Sequence, residues 1–325
     1  MKIIDNVYGE QIIDKEIIKK LIKTKEMQRL RNVHQHGTWH FIDPKFDTSR
    51  FEHSLGVFFL LRRFNASFEE QIAGLLHDIS HFAFSHVMDY VFNENSSQEV
   101  AEKFHSEIIK KSSIPSILKE NKIDINFILD KHNFKILERD LPDICADRLD
   151  YFFRDSIVFG SASRSFVNLM LNSLLVRGEE FVINNEKNAK QIAYSYLKTS
   201  RNMWVNPLQS ASYQVLADTI KIALEKEIIK ENDFYSTDNE LLKKLIKSKD
   251  NKILQMLKIL KSLNIKEGTK DDYDFHTTGK ARFIDPKFLD NNKVRRISEV
   301  DKQFKKDIKE FQEWVKKGFY IKIIR

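Results

Sequence analysis

Eight of the ten histidines in this chain, at positions 34, 36, 40, 53, 77, 81, 86 and 105, fall within 72 residues, where even spreading would place about two. Imidazole concentrated in this way points to metal binding or proton transfer, since histidine changes charge near neutral pH and is a common nitrogen ligand. The densest piece reads Leu75-Leu76-His77-Asp78-Ile79-Ser80-His81. An imidazole beside a carboxylate on an apolar segment is costly to bury unless its polarity is compensated, and a divalent cation does so directly. On a helix, His81 would share a face with His77 four residues before it. A His-Asp dipeptide alone is often just a histidine hydrogen-bonded to backbone, so the context decides. Upstream stands Arg50-Phe51-Glu52-His53-Ser54-Leu55-Gly56-Val57, and downstream Ala146-Asp147-Arg148-Leu149-Asp150-Tyr151. His53, His77, Asp78 and Asp147 then make a mixed nitrogen and oxygen set. It suits Mn, Fe, Zn, Ni or Mg and leaves coordination positions for water and substrate.

The elements that must position these groups read mainly as helices. Lys15 to Leu30 carries apolar residues at helical spacing among lysines, predicting an N-terminal helix with one buried face. Asn32 to Arg50 has no helical period and reads as a loop or short hairpin. Phe51 to Phe64 and Phe68 to Phe92 read as two buried helices separated by Asn65-Ala66-Ser67, and a further helix is expected over Gln98 to Lys111. Pro142 stands where a helix from Ile144 to Phe159 would begin. On that helix Asp147, Tyr151 and Asp155 recur at i, i+4 and i+8, so they share a face, with Asp150 and Arg154 as ion-pair partners within it. Asn188 to Ile229 reads as one or two long helices interrupted near Pro207, and Lys280 to Phe288 as a strand. Composition shifts near Glu231, giving expected units at 1–27 (N-terminal helix), 28–230 (core) and 231–325 (C-terminal extension).

Composition narrows the function classes. The chain has only nine glycines and five prolines in 325 residues, against about 12% for the two together in an average sequence, so a turn-rich sandwich or barrel is disfavoured. No two glycines are two or five positions apart, which excludes Gly-x-Gly-x-x-Gly and the Walker A loop. Any nucleotide is therefore held without a glycine loop. The net charge of +7 suits an anionic ligand, although solvated Lys-rich helices are the more frequent source of such an excess. The single cysteine, Cys145, forbids an internal disulfide and fits a cytoplasmic, reducing location. No membrane association is expected, because the uncharged stretch Met203 to Ala217 is interrupted by Asn206, Pro207 and several other polar residues.

At Arg-Phe-Glu-His-Ser-Leu-Gly-Val (50–57), His-Asp (77–78), Phe-Ser-His (84–86) and Ala-Asp-Arg-Leu-Asp-Tyr (146–151), the chain resembles the HD-domain metal-dependent phosphohydrolases. Within them it is similar to the deoxynucleoside triphosphate triphosphohydrolases, the branch of bacterial dGTPases and the sterile-alpha-motif HD dNTPase. The likeness organises residues 28–160 and weakens towards 225. It implies an all-α, HD-domain helical core with a smaller C-terminal α or α+β extension. It also implies a divalent metal held by His53, His77, Asp78 and Asp147, which activates water for attack on phosphorus. By the same resemblance His105 is the general acid and Asp89 its orienting carboxylate. His81, Arg50, Arg148 and Arg201 contact phosphate, Gln35 the 3′-hydroxyl, and Tyr151 and Asp155 the sugar. The chain departs from the family at Ser80, which replaces a glycine. It departs again after Arg201, where Asn-Met-Trp-Val-Asn-Pro replaces a His- and Tyr-rich stretch.

The resemblance implies hydrolysis of a dNTP to deoxynucleoside and triphosphate, in a homo-oligomer. Two other readings keep the same scaffold: a phosphohydrolase of nucleoside mono- or diphosphates or of a signalling nucleotide, and a module that binds nucleotides or single-stranded nucleic acid with little activity. Four intact ligands favour the enzymes, since a binder has no need of them.

Overall fold

The computed structural model describes residues 1–94, 100–291 and 293–324. The chain opens with an antiparallel hairpin, β1 (Lys2–Asp5) and β2 (Gly9–Ile12), with Asp5 opposite Gly9. Two short helices follow, α1 (Glu16–Ile22) and α2 (Lys25–Arg29). The expected N-terminal helix is thus preceded by a hairpin that the sequence reading lacks. The segment after it holds only α3 (Trp39–Ile42) and leads to α4 (Arg50–Arg63). A capping box starts α4: Ser49 Oγ accepts the Glu52 amide and Glu52 accepts the Ser49 amide, satisfying two donors that would otherwise be orphaned. Because α4 is apolar nearly all round, it is the buried centre of the core.

Next come α5 (Phe68–Leu76), capped by Ser67, and α6 (Val87–Val91). The continuous helix expected over Phe68 to Phe92 is not formed. It ends at His77, and the chain turns through Phe84 and Ser85, both at positive φ (61° and 49°). His77 and His81 therefore do not sit on one helix face. A break here costs backbone strain but releases the ends of both helices to face a common point. Beyond it α7 (Glu102–Lys111), α8 (Ile114–Glu120) and α9 (Ile125–Leu129) wrap the outside. Gln98, where α7 was expected to start, lies outside the described residues.

Helix α10 (Ala146–Phe159) ends at Gly160, whose φ of +76° makes a left-handed cap. It crosses α4 closely at Gly56, where an added Cβ would lie 2.0 Å from Asp150 Oδ1 and 2.1 Å from Arg154 Nη2. A glycine is required for this approach. Then come α11 (Arg164–Ser173), β3 (Leu174–Arg177), β4 (Glu180–Ile183) and α12 (Glu186–Thr199). A π-helical turn at Ser200–Trp204 joins α12 to α13 (Pro207–Glu225). Such turns displace side chains from the regular helical face.

Past residue 231, α14 (Asp238–Lys247) and α15 (Asn251–Lys261) share a hydrophobic cluster with α6 and α13, built around Phe84, Tyr213, Leu216, Leu241 and Ile253. The strands β5 (Ile265–Glu267), β6 (Phe275–Thr277), β7 (Lys287–Asp290) and β8 (Lys293–Arg296) follow, then α16 (Ile297–Val300), α17 (Lys302–Lys317) and β9 (Phe319–Ile323). The strand expected over Lys280 to Phe288 forms only from Lys287, and it pairs parallel to β4 with Phe288 opposite Ile183. The architecture is a mainly helical core with a small α+β addition, as the composition requires. No helix among the described residues is long and apolar enough to cross a membrane.

Candidate active site

Side chains from three segments come together: His53, His77 and Asp147 bring ligand atoms within 4.8 Å of one another, and Asp78 flanks them. His53 comes from α4, His77 and Asp78 from the end of α5, and Asp147 from the first turn of α10. His53 Nε2 lies 2.9 Å from Asp147 Oδ1 and 3.2 Å from His77 Nε2. His77 Nε2 lies 3.4 Å from Asp147 Oδ1 and 3.5 Å from Asp78 Oδ1. Donor atoms of one metal shell stand about 3 Å apart when bonds are about 2.1 Å long, so these spacings fit a shared cation.

The hydrogen bonds on the far side of each ring give a second, independent fit. His77 Nδ1 donates to the Gly74 carbonyl at 2.7 Å, and His53 Nδ1 donates to Asp150 Oδ2 at 2.7 Å. Both rings therefore turn a lone pair at Nε2 inward, towards two carboxylates. His53 Nε2, His77 Nε2 and Asp147 Oδ1 converge as three acceptors, an arrangement that suits a cation. Burial opposes charge on His53, but the bonds to Asp147 and Asp150 outweigh it and raise His53 to about 10. Burial likewise opposes the charge on Asp147, yet His53 and His77 hold it below the usual carboxylate range.

Around the centre the cations are unevenly placed. Arg50 donates from Nε to Ser85 Oγ at 3.0 Å and from Nη1 to Asp78 Oδ2 at 2.9 Å. Its Nη2 is buried without a hydrogen-bond partner, so it is free to meet an anion beside the metal position. Arg148 donates from Nη1 to the Asp143 carbonyl (2.5 Å) and from Nη2 to the Arg139 carbonyl (3.0 Å), while its Nε is buried without a hydrogen-bond partner. Arg201 is exposed and lies over the Trp314 ring at 5.2 Å. A cation that the sequence reading missed is Arg282, from the stretch before β7. Its charge acts on His86, Tyr151 and Tyr196, and no motif marks it.

The acid-base groups are arranged differently from the expectation. His81 Nε2 is 3.2 Å from Asp78 Oδ1, and burial together with the Arg50 charge lowers His81 to about 4. His105 faces Ser80, with Nδ1 3.3 Å from Oγ, and burial followed by the charge on His77 lowers it to about 4. Asp89 does not orient His105. It pairs with His86, Oδ2 to Nδ1 at 2.8 Å, while its other oxygen accepts the Val100 amide. The His86 ring lies 5.6 Å from that of His81, which makes His86 a second acid-base candidate. The i, i+3 spacing of His86 and Asp89 on one helical turn was the available signal.

A polar and aromatic wall continues from the metal position along α10. Tyr151 is 6.4 Å from the His53 ring and shares a 2.6 Å hydroxyl contact with Tyr196. One turn later Asp155 is buried, with Oδ1 2.8 Å from His36 Nε2 and Oδ2 accepting the Trp204 indole N–H at 2.7 Å. Trp204 reaches it from the π-helical turn and meets Tyr151 edge-on at 5.2 Å. Gln35 is 7% exposed, and its Oε1 is buried with no partner. The remaining loop histidines are braces: His34 is held between Asp47 and Asp238 and stacks on His40.

Residues 50–155 match the HD domain model. The chain therefore carries an HD domain, and His53, His77 and Asp147 lie within it. Over its full length it is 35% identical to the full length of the uncharacterized protein YdhJ of Bacillus subtilis, across 329 aligned positions. It is 31% identical to the metal-dependent phosphohydrolase cns2 of Cordyceps militaris, covering 65% of this chain and 62% of that protein. A deoxynucleoside triphosphate triphosphohydrolase SAMHD1 homolog of Dictyostelium discoideum is 25% identical over 81% of this chain and 57% of its own length. The fold matches that of a phosphohydrolase from Bacteroides thetaiotaomicron with a TM-score of 0.74, at 18% identity and full coverage of both chains.

Proposed function

We propose that this protein hydrolyses a deoxynucleoside triphosphate to deoxynucleoside and triphosphate. The observation that carries the reading is the continuity of the site. The unpartnered Nη2 of Arg50 stands at the metal ligands, and the wall of Tyr151, Tyr196, Asp155, Trp204 and Gln35 begins one helical turn away. A phosphate at the centre would place its sugar against that wall. The partial likeness to the SAMHD1 homolog supports the same substrate class.

His53, His77, Asp78 and Asp147 would hold the divalent cation, which supplies Lewis-acid polarisation of a phosphoryl oxygen and activation of water. Arg50 balances the charge that develops on the phosphate. His105, lowered to about 4 by burial and the charge on His77, would be raised by a bound phosphate and donate its proton to the leaving sugar oxygen, with Ser80 fixing the ring. Tyr151 and Asp155 position the sugar, and Gln35 Oε1 accepts a hydrogen bond from a sugar hydroxyl there.

A shorter substrate is the second reading. Both Arg148 Nη atoms are held by carbonyls and Arg201 lies at the surface, which leaves less cationic charge for distal phosphates than a triphosphate would use. Incubating dNTPs, NTPs and nucleoside mono- and diphosphates with the protein and Mn²⁺, then separating the products, decides between them. Triphosphate release from dNTPs supports the first reading. Orthophosphate from monophosphates alone refutes it and supports the second.

A further inference from the structure

The metal ligand His53 is the near end of a buried chain of charges that reaches the N-terminal hairpin. His53 Nδ1 donates to Asp150 Oδ2 at 2.7 Å, and that same oxygen accepts Arg154 Nε at 2.8 Å. The other arm of the guanidinium, Nη2, donates to Asp5 Oδ2 at 2.8 Å. Asp5 is fixed in turn by the hairpin, since its Oδ1 accepts the amides of Val7 (2.8 Å) and Tyr8 (2.9 Å). His53, Asp150, Arg154 and Asp5 are 1%, 0%, 4% and 7% exposed, so water screens these interactions little.

We infer that the hairpin is a working part of the metal centre: Asp5, acting through Arg154 and Asp150, sets how strongly His53 binds the cation. Asp5 is a positioning residue in this role, and the inference rests on the metal centre assigned above.

The sign follows from the sharing of one oxygen. Arg154 and His53 both draw on Asp150 Oδ2. While Asp5 neutralises Arg154 from the other side, Asp150 keeps enough negative charge to accept strongly from His53 Nδ1, which makes Nε2 a better ligand. Without the Asp5 charge, the whole of Arg154 falls on Asp150, and the net charge of the three groups rises from minus one to zero. The hydrogen bond to His53 weakens, and a dication a few ångströms beyond is attracted less. A merely structural Asp5 would anchor the hairpin and leave the metal affinity alone.

The test is calorimetric titration of MnCl₂ into the chelator-stripped full chain, alongside thermal melts. Losing a direct partner of a ligating histidine lowers metal affinity about 10- to 100-fold, the change expected for Asp150→Asn. Asp5→Asn, one bond further out, should weaken Mn²⁺ about three- to tenfold. The reference is Ile13→Ala, which loosens the base of the hairpin in the core (Ile13 is 1% exposed) without touching the charges. It should lower the melting temperature and leave Mn²⁺ affinity within about twofold. Asp5→Glu keeps the charge but disturbs the turn, so it should bind Mn²⁺ more tightly than Asp5→Asn. If Asp5→Asn does not fold, Asp5→Ser, which keeps an acceptor for the Val7 and Tyr8 amides and removes the charge, takes its place: weakened Mn²⁺ binding supports the inference and wild-type affinity overturns it. Equal Mn²⁺ affinity in wild type and Asp5→Asn overturns the inference alone. A wild type that binds no Mn²⁺ overturns the metal centre itself.

Discussion

Gly56 sits one turn beyond His53 on α4, and its lack of a side chain lets α10 come close enough for Asp147 to meet His53. In Gly56→Ala the new Cβ would stand 2.0 Å from Asp150 Oδ1 and 2.1 Å from Arg154 Nη2, about 1.4 Å inside ordinary contact. The tips of flexible side chains normally swing away, but these two cannot. Asp150 and Arg154 are buried, bonded to each other, and bonded onward to His53 and Asp5. Relief must come from parting α4 and α10 or from breaking the ion pair. The first costs about 1–3 kcal/mol as overpacking, and the second about 3–5 kcal/mol. A loss of about 3 kcal/mol lowers the melting temperature of a chain this long by about 4 °C. Parting the helices separates His53 from Asp147, and displacing Asp150 removes the partner of His53 Nδ1, so the stabilisation conferred by Mn²⁺ should shrink as well. The assay is a pair of melts, metal-free and Mn²⁺-loaded, on both proteins. A Gly56→Ala variant with the wild-type melting temperature and full Mn²⁺ response would refute the claim that this close helix crossing builds the centre.

The acid-base assignment predicts that His105→Ala retains Mn²⁺ while losing about 10²- to 10⁴-fold in rate. His86→Ala with the larger loss would transfer the role to the His86–Asp89 pair, and loss of metal would make His105 a ligand. With His53 raised to about 10 and His77 raised as well, Mn²⁺ binding at pH 7 should release at least one proton. Its affinity should then rise by roughly tenfold or more per pH unit towards about pH 10; calorimetry in buffers of different ionisation enthalpy counts the protons, and a count of zero contradicts the assignment. The same shift has a consequence for stability. A histidine raised above its ordinary 6.5 stabilises the metal-free fold below that pH, and the contribution disappears as pH climbs towards about 10. The melting temperature of the metal-free protein should fall across that window more than that of His53→Gln.

The candidate metal-binding residues were legible because their types are costly to bury on apolar segments: His53, His77, Asp78 and Asp147 stand out even in a single sequence, and the structure brings His53, His77 and Asp147 together. Their supports were not. Asp150 lies 97 positions from His53 and reads locally as one half of an i, i+4 ion pair with Arg154. Only the tertiary crossing at Gly56 turns it towards the histidine. The apolar run from Phe68 to Phe92 hid the end of α5, because buried turns carry the same apolar residues as buried helices, and the positive φ of Phe84 and Ser85 is not written in their types. The hairpin at residues 2–12 was missed for a related reason: its strands are four residues each and Gly9 is its only glycine. The altered stretch after Arg201 was noticed, but a π-helical turn decides which way each side chain goes. It directs Trp204 to Asp155 and Arg201 to the surface.

The central claim is that a cation held by His53, His77, Asp78 and Asp147 directs water onto phosphorus. Turnover of a dNTP in ¹⁸O-labelled water, by metal-free protein resupplied with Mn²⁺ and by His77→Ala beside it, tests this most directly. The label should appear in the released triphosphate and not in the deoxynucleoside, only with Mn²⁺ present, and not with His77→Ala. Label in the deoxynucleoside, or equal turnover without metal, would contradict it.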